Sequence, residues 1–239
     1  MKILSFDLKL VVLVFIVLLF FASNSILARM AIFTQNIDAF SFTFLRIISA
    51  MVILLFIYFY KNKKIKIDFK NNYISGFMFF LYAICFSYSY INMAAGIGTL
   101  ILFAVVQLTM IILALFLNEK LTLKKFIGIT IAFGGLVYLL YPKDDFTISY
   151  FHAFLMFLSA IGWAIFSVLG KKSKNATLNA TDSFVKAFIF TIFFAIFYLF
   201  FFKNSLKIDL YTSILAITSG SITTAFGVFI WYSILPNIE

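Results

Sequence analysis

The sequence predicts an all-α fold, a polytopic membrane helical bundle, and three observations lead to this prediction. The first is composition: 64% of the 239 residues are hydrophobic and 12% are charged. With a mean hydropathy of +1.10, the chain has too few polar side chains to cover the surface of a water-soluble domain. The second is the recurrence of apolar runs about 20 residues long. The third is that these runs do not alternate polar with apolar residues, as strands of a membrane barrel do.

Eight apolar runs are predicted to be transmembrane helices. Most approach the ~20 residues that a helix needs to cross a hydrocarbon core ~30 Å thick, since an α-helix rises about 1.5 Å per residue. The runs are Leu8–Ala28, Phe42–Tyr60, Asn72–Asn92, Ile97–Leu117, Phe126–Tyr141, Tyr150–Gly170, Phe184–Phe202 and Leu210–Leu235. The first run is too long for a signal peptide and no small-residue cleavage pattern follows it, so we predict a retained span.

Basic residues are distributed unevenly between the two sides of the predicted membrane. When loops are assigned to alternate sides, fourteen lysines, including Lys186, fall on the side of the N-terminus and five basic residues, including Arg46, fall on the other. Loops facing the cytoplasm are enriched in Lys and Arg. This distribution predicts a multi-pass membrane protein with a cytoplasmic N-terminus. It also explains the net charge of +10 without nucleic-acid binding.

The chain also resembles itself at one fixed offset. A shift of 142 positions aligns Phe21–Arg29 with Trp163–Lys171, and the same shift pairs Tyr90 with Tyr232. Five spans precede the second copy, and because five is odd, the second copy must be inverted in the membrane. The sequence therefore predicts a first repeat of five helices in residues 1–142 and an incomplete second repeat of three helices in residues 150–239. Inverted repeats are an architecture for alternating access.

Several segments resemble one family of transporters. The segment Ala94–Pro142 resembles the fourth and fifth helices of EamA-type transporters of the drug/metabolite transporter superfamily, with the turn Asn118-Glu119-Lys120-Leu121-Thr122 between them. The family usually has Gly and Arg at the first and third positions of this turn, and a proline where this chain has Val106-Gln107. Phe40–Ala50 and Gly227–Pro236 are similar to the family's second and eighth helices.

The resemblance implies a transporter in the cytoplasmic membrane of a bacterium that works by alternating access. Its solute is expected to be a small metabolite, such as an amino acid-like, drug-like or other neutral or zwitterionic solute. Members of the family have ten spans in two copies of five. At the offset of 142, the last two helices would begin near position 239, so the resemblance implies a chain truncated after its eighth helix. The alternative is a non-transporting truncated membrane protein, or a helical assembly partner of another subunit.

Polar side chains within the spans are the candidates for a solute pocket. A charged side chain at the centre of a membrane helix costs about 2.5–3.5 kcal/mol, so polar groups are expected to face a shared interior. The pocket candidates are Asn24, Ser25, Tyr82, Ser89, Gln107, Thr109, Trp163, Ser167, Thr223, Trp231 and Tyr232, with Ser219 and Thr224 in the same polar stretch of the eighth span. Among them, Trp163, Trp231 and Tyr232 could form aromatic walls for a partly apolar solute. Alternatively, the hydroxyls bond to backbone or to neighbouring helices, and the aromatic side chains serve packing or the interface belt. Gln107 is favoured as a solute contact because its amide both donates and accepts.

Two charged residues are candidates for structural or gating roles. Arg46 lies near one end of the second span, where a long side chain can reach the lipid headgroups, and this anchoring role is favoured over binding an anionic solute. Glu119 lies at the end of the fourth span, where a local ion pair with Lys120 or Lys124 is favoured over gating or proton binding.

The residues that are missing from the spans limit the mechanism. All nine carboxylates, including Asp182, are predicted to lie in loops or at span ends, which favours a neutral, zwitterionic or modestly apolar solute. One cysteine and one histidine predict no metal site and no cofactor, and no enzyme motif is present. The expected partners are the lipid bilayer and a small-molecule solute, without nucleic acid, and a homo-oligomer is compatible with the sequence.

Overall fold

The structure is a computed structural model that describes residues 8–63, 67, 71–116, 122–140, 149–171, 175–202 and 206–235. Its regular elements within these ranges are helices, and no strand occurs there, which confirms the predicted fold class. The helices are α1 Leu8–Phe33, α2 Ala39–Asn62, α3 Tyr73–Ser89, α4 Ala95–Phe116, α5 Leu123–Leu140, α6 Tyr150–Lys171, α7 Ala176–Phe202 and α8 Leu210–Ile234.

The helices are long and apolar enough to make the protein a polytopic membrane bundle. By length and composition, six of the helices in the described ranges can cross a membrane: α1, α2, α4, α6, α7 and α8. The remaining apolar helices are shorter, namely α3 and the segment Phe126–Gly135 of α5. Most observed bounds differ from the predicted runs by a few residues, because the apolar content that defines a span is a local property of the sequence.

The seventh helix is the main exception to the predicted bounds. It was expected to begin at Phe184, but α7 begins at Ala176, so Asp182 and Lys186 lie within its first three turns. Both side chains are fully buried. The prediction that Lys186 is a loop charge was therefore wrong. Asp182 lies near the start of α7, so it does not contradict the expectation that the carboxylates lie in loops or at span ends. Opposite charges four residues apart face each other on a helix, so the helix continues through them.

Two ends of the bundle can be distinguished by its connections. At one end, the Asp38 Oδ2 atom accepts a hydrogen bond of 3.0 Å from the Lys207 backbone N–H, so the α1–α2 and α7–α8 connections meet there. This end is called the Asp38 end. The α2–α3 connection, with Asn72, lies at the opposite end, which is called the Asn72 end. Asp38 also caps α2, since its carboxylate accepts from the Ser41 backbone N–H at 2.9 Å, as expected for a helix N-terminus.

Helices from both halves of the chain are interleaved in the core. The α3 helix packs against α6, α7 and α2, while α8 packs against α1 and α2. The α2 and α7 helices also pack against each other, and α4 packs against α6. The α5 helix packs mainly against α4, and its described apolar side chains are largely exposed. The buried interior is therefore formed mainly by α1, α2, α3, α6, α7 and α8, and α4 adds Leu102 and Val106 where it packs on α6.

Three glycines permit close approach of helices in this interior. A Cβ atom added at Gly162 of α6 would lie 2.8 Å from the Met78 carbonyl oxygen of α3. A Cβ at Gly220 of α8 would overlap the Arg46 carbonyl oxygen of α2, and one at Gly76 of α3 would lie 3.1 Å from the Ser183 carbonyl oxygen of α7. Small residues of this kind let membrane helices pack backbone to backbone.

Candidate functional site

The last helix changes its winding where it passes the centre of the bundle. Residues Ser219–Phe226 of α8 form a π-helical segment, flanked by α-helix on both sides. Such segments are rare and occur frequently at functional sites. Here the segment contains Gly220, which rests on α2, and the hydroxyl residues Ser219, Thr223 and Thr224, which all face α1.

Three hydroxyls of this segment converge on one amide of α1. The Asn24 Oδ1 atom accepts hydrogen bonds from Ser219 Oγ at 2.7 Å, from Thr223 Oγ1 at 2.6 Å and from Thr224 Oγ1 at 3.3 Å. Asn24 is only 2% exposed. In an apolar surrounding an unpaired amide or hydroxyl is costly, so these bonds hold α1 and α8 together.

Arg46 extends this network to two more helices. Its Nε–H donates to Thr224 Oγ1 at 3.2 Å, and its Nη2 donates to the Tyr82 hydroxyl at 2.8 Å. The network therefore joins α1, α8, α2 and α3. We call the six hydrogen-bonded residues the central polar cluster: Asn24, Arg46, Tyr82, Ser219, Thr223 and Thr224.

The side chain of Arg46 does not reach the headgroups. Arg46 is 0% exposed, and the guanidinium carbon lies 4.8 Å from the ring centroid of Phe86 and 5.1 Å from that of Tyr82. The prediction of a snorkelling anchor was therefore wrong. Hydroxyl acceptors and aromatic faces of neighbouring helices are available inside the bundle, and a desolvated cation–π contact is worth about 2 kcal/mol.

The charge of Arg46 is nevertheless incompletely balanced. No carboxylate among the residues that the structure describes lies within salt-bridge distance of it, and its Nη1 atom is buried without a hydrogen-bond partner there. A guanidinium remains charged in proteins. Burying a charge costs several kcal/mol unless it is paired, so the central polar cluster carries a positive charge and an unused donor.

Aromatic side chains from four helices adjoin the central polar cluster. The ring centroid of Trp163 lies 4.9 Å from that of Tyr82 and 4.9 Å from that of Phe21, while Phe21 lies 6.1 Å from Trp231. We call this set, with Phe86, the aromatic cluster: Phe21, Tyr82, Phe86, Trp163 and Trp231. The indole Nε1 of Trp231 is buried without a hydrogen-bond partner in the described part of the chain.

Other predicted pocket residues lie near these clusters or brace the helices. Ser25 and Ser167 are each 1% exposed, and the Ser167 hydroxyl is buried with no partner among the described residues. The Tyr232 hydroxyl donates to the Phe166 carbonyl at 3.0 Å and so ties α8 to α6. The Ser89 hydroxyl donates to the Phe86 carbonyl at 2.7 Å within its own helix.

The fourth helix contributes nothing to the central polar cluster. Gln107, the favoured amide, is only half-buried, and no hydrogen bond in the described ranges joins it to that cluster. The Thr109 hydroxyl donates to its own helix at the Val105 carbonyl, at 2.7 Å, as expected for a threonine in a membrane helix. Glu119 lies outside the described residues.

A separate cavity opens at the Asp38 end of the bundle. Its volume is about 440 Å³. It is lined by Ile32, Gln35, Ile37, Asp38, Ala39, Tyr88, Ile91, Tyr198 and Lys207. None of these residues belongs to the central polar cluster, and the Asp38 carboxylate is already used in capping α2.

A buried ion pair lies toward the Asn72 end, and the sequence analysis missed it. Lys186 and Asp182 of α7 form a salt bridge with both side chains fully buried. The Asn72 side-chain amide donates to Asp182 Oδ2 at 3.0 Å, and the Lys186 ammonium lies 5.2 Å from the ring centroid of Tyr73. The spacing of four residues between opposite charges was the available signal for a helical pair.

Phe86 was also missed, although a signal for it was present. Phe86 follows Tyr82 by four residues, so the two rings share one face of α3, and their centroids lie 5.4 Å apart. Phe21 had been noted only as an aromatic position matched to Trp163 in the repeat. Apolar aromatic residues are so frequent in this chain that no single one stands out before the packing is known.

Comparisons with known proteins agree with this architecture. The model of the EamA-like transporter family matches residues 8–141. An uncharacterized protein of Pseudomonas aeruginosa is 31% identical to the chain over 232 residues, which cover 97% of this chain and 79% of that protein. No solved structure matches the chain. The matched segment includes α1 to α5, and with them Asn24, Arg46 and Tyr82. The chain therefore belongs to the EamA-like transporter family.

Proposed function

We propose that the protein moves a small metabolite across the bacterial cytoplasmic membrane by alternating access around the central polar cluster. The observation that carries this proposal is the burial of Asn24, Arg46 and Tyr82 in one hydrogen-bonded network where helices of both halves of the chain meet. Polar groups within membrane spans usually mark pathways for ions or solutes. The family of the chain is a transporter family.

The packing supports an inverted repeat. The α3 helix packs against α6 and α7, and α8, its counterpart at the offset of 142, packs against α1 and α2. Phe21 and Trp163, which the offset aligns, meet with ring centroids 4.9 Å apart. Ser25 and Ser167, also aligned, are equally buried. In this proposal residues 1–142 and 150–239 are the two repeats, and one rocks against the other around the central polar cluster.

The proposed orientation places the N-terminus in the cytoplasm and the Asp38 end outside. This orientation is inferred from the excess of basic residues in the connections at the Asn72 end, because loops that face the cytoplasm are enriched in Lys and Arg. Lys186 and Arg46 are buried in the bundle and do not act as loop charges. Removing both from the count leaves thirteen basic residues against four, so the bias is kept.

Transport suits the central polar cluster better than catalysis. Its members provide hydroxyls, one amide and one guanidinium, and none of these is a base that could activate a neighbouring hydroxyl. Hydrogen-bond donors beside aromatic walls are instead typical of sites that bind a small molecule.

Flux measurements in proteoliposomes test the proposed function. The purified protein is reconstituted, and uptake and efflux are followed for a panel of amino acids, carboxylates, amines and neutral metabolites. We expect saturable flux of at least one solute above that of protein-free liposomes. We also expect its loss in Asn24→Ala, which removes the acceptor of three hydroxyls.

Asn62→Ala is the matched control. The Asn62 amide donates to the Tyr58 carbonyl within α2 and lies at the Asn72 end, so flux should persist. Absence of flux for every solute in folded protein would contradict the proposed function and favour a helical assembly partner. Equal loss in both asparagine variants would contradict the assignment of the site.

A further inference from the structure

We propose that the central polar cluster binds the carboxylate of its solute on Arg46, with the apolar part of the solute against the aromatic cluster. This inference rests on the proposed function and deepens it, because it names the chemical class of the solute. The class is a monocarboxylate with an apolar, preferably aromatic, body. It includes zwitterionic amino acids and excludes cations that lack a carboxylate.

The charge of Arg46 is the first reason. Arg46 is 0% exposed, its hydrogen-bonded partners Thr224 and Tyr82 are neutral hydroxyls, and no described carboxylate is within salt-bridge distance. A buried charge normally has a counterion or a metal beside it. A solute anion would supply the missing counterion, whereas a neutral solute would leave the charge uncompensated and a cationic one would be repelled.

The unused donor is the second reason. The Nη1 atom of Arg46 is buried without a hydrogen-bond partner in the described chain. Buried polar atoms are paired in nearly all native structures, and an exception calls for a ligand or another explanation. The guanidinium fork matches the two oxygens of a carboxylate.

The other arginine of the chain differs from Arg46, because its Nη1 atom has hydrogen-bond acceptors. The sequence contains two arginines, Arg29 and Arg46. The Nη1 atom of Arg29 donates to the Tyr90 carbonyl at 2.7 Å and to the Ile91 carbonyl at 3.0 Å. These carbonyls follow the C-terminus of α3, where a cation is favourable. Arg29 thus has a structural task, and Arg46 lacks a comparable acceptor for Nη1.

The surroundings of Arg46 fit the rest of such a solute. Phe86 and Tyr82 lie beside the guanidinium, and the aromatic cluster continues through Trp163 to Trp231. The Trp231 Nε1 is a second buried donor without a partner among the described residues. A ring or a branched apolar group stacks on such walls, and a polar substituent on the solute could accept from the Trp231 Nε1–H.

Binding of phenylacetate tests this inference without relying on transport. The two tryptophans of the chain, Trp163 and Trp231, both belong to the aromatic cluster, so intrinsic fluorescence of the purified protein in detergent reports occupancy directly. Phenylacetamide has nearly the same shape as phenylacetate but no charge, and acetate has the charge but no ring. We expect phenylacetate to bind at least about tenfold more tightly than either, because it alone provides both halves of the recognition.

Variants of the two arginines locate the effect. Arg46→Gln should lose at least about tenfold in phenylacetate affinity, the scale of a lost charge-assisted bond. Its affinity for phenylacetamide should hardly change. Arg29→Gln is the matched control and should bind phenylacetate like the unaltered protein.

The outcomes separate this inference from the proposed function. If phenylacetate binds no better than phenylacetamide to the unaltered protein, the carboxylate site is refuted, even if the Arg46 variant cannot be purified. If acetate binds as tightly as phenylacetate, the aromatic half is refuted. A protein that fails these binding tests yet carries a neutral or cationic solute in liposomes retains the proposed function and loses the inferred solute class.

Discussion

Two buried cations, Arg46 and Lys186, occupy similar positions but differ in what balances their charge. Each is 0% exposed and lies in the first half of its helix, α2 or α7. Each also adjoins a glycine of a neighbouring helix, Gly220 for Arg46 and Gly76 for Lys186. Lys186 has the Asp182 carboxylate on its own helix, whereas no described carboxylate pairs with Arg46.

We propose that this difference separates a structural charge from a charge that binds the solute. The pair of Lys186 and Asp182, with the Asn72 amide, joins α7 to the start of α3. Its charges cancel within the bundle, so it needs nothing from outside. Arg46 is held in place by the neutral hydroxyls of Thr224 and Tyr82, which orient the guanidinium but do not neutralise it. Burial and residue type do not distinguish these two cations. The presence or absence of a neighbouring carboxylate does.

Removal of the Asp182 carboxylate should have the largest effect on stability. Asp182→Leu leaves the Lys186 ammonium buried without its counterion, and such changes cost about 3–5 kcal/mol. Unfolding in detergent, followed by circular dichroism, measures the loss.

The double variant with Lys186→Met is the control for that experiment. It removes both charges, so it should recover most of the stability, since an apolar replacement of a buried pair is often neutral. If the single and double variants are equally unstable, the pair does not balance the buried charge of Lys186.

Gly220→Ala should have the next largest effect, because the new Cβ would overlap the backbone of α2 at Arg46. Forcing an extra methyl into a closely packed contact costs about 1–3 kcal/mol, and α8 would be displaced from the central polar cluster. The midpoint of thermal unfolding and the flux of the transported solute both report the change.

Gly134→Ala of α5 is its matched control, since an added Cβ there meets nothing within 4 Å. Alanine is the better helix former by up to ~1 kcal/mol, so this variant should be as stable as the unaltered protein or slightly more stable. Similar losses at both glycines would show that close approach at Gly220 is not what limits the substitution.

Two serines allow a finer comparison between a bonded and an unbonded hydroxyl. The Ser183 hydroxyl donates to the Ser75 hydroxyl at 2.8 Å, which links α7 to α3, and Ser183→Ala should cost about 1 kcal/mol. The Ser167 hydroxyl is buried with no partner among the described residues, so Ser167→Ala should change stability by less than about 0.5 kcal/mol. Chemical unfolding of both variants measures the two changes in stability. If Ser167→Ala lost as much stability as Ser183→Ala, the Ser167 hydroxyl would have to form a hydrogen bond that stabilises the fold.

Arg46→Met should change stability little but should abolish transport. It removes a buried charge that lacks a described carboxylate partner, and such replacements are often neutral or stabilising, so we expect a change within about 1 kcal/mol. Thermal unfolding and flux are measured on the same preparation. A loss of stability as large as that of Asp182→Leu would contradict the comparison, because Arg46 would then be structural in the same sense as Lys186.

The sequence predicted the part of the site that depends on polarity. Asn24, Tyr82 and Thr223 were chosen because polar side chains in a span are expected to face a shared interior, and the two tryptophans because they could form aromatic walls. The structure brings these residues together or into adjoining clusters. The same reasoning favoured the half-buried Gln107, since polarity alone gives no direction around a helix.

The burial of the two cations is the feature that the sequence did not predict. Arg46 and Lys186 were assigned to the membrane interface and to a loop, because each lies near the end of an apolar run. Both turned out to be buried. Whether a charge near a helix end turns toward water or toward the interior depends on acceptors supplied by other helices, such as the Tyr82 hydroxyl on α3.

The sequence by itself determined that the chain is a bundle of membrane helices, where those helices run, and that it resembles one transporter family. These properties follow from the hydropathy of contiguous residues and from short motifs, which are local. Only the tertiary structure decided which polar groups share the interior, that Lys186 has its counterion in Asp182, and that Arg46 has none among the described residues. Electrostatic balance in a bundle depends on neighbours that are distant in sequence, and close packing at residues such as Gly220 brings those neighbours together.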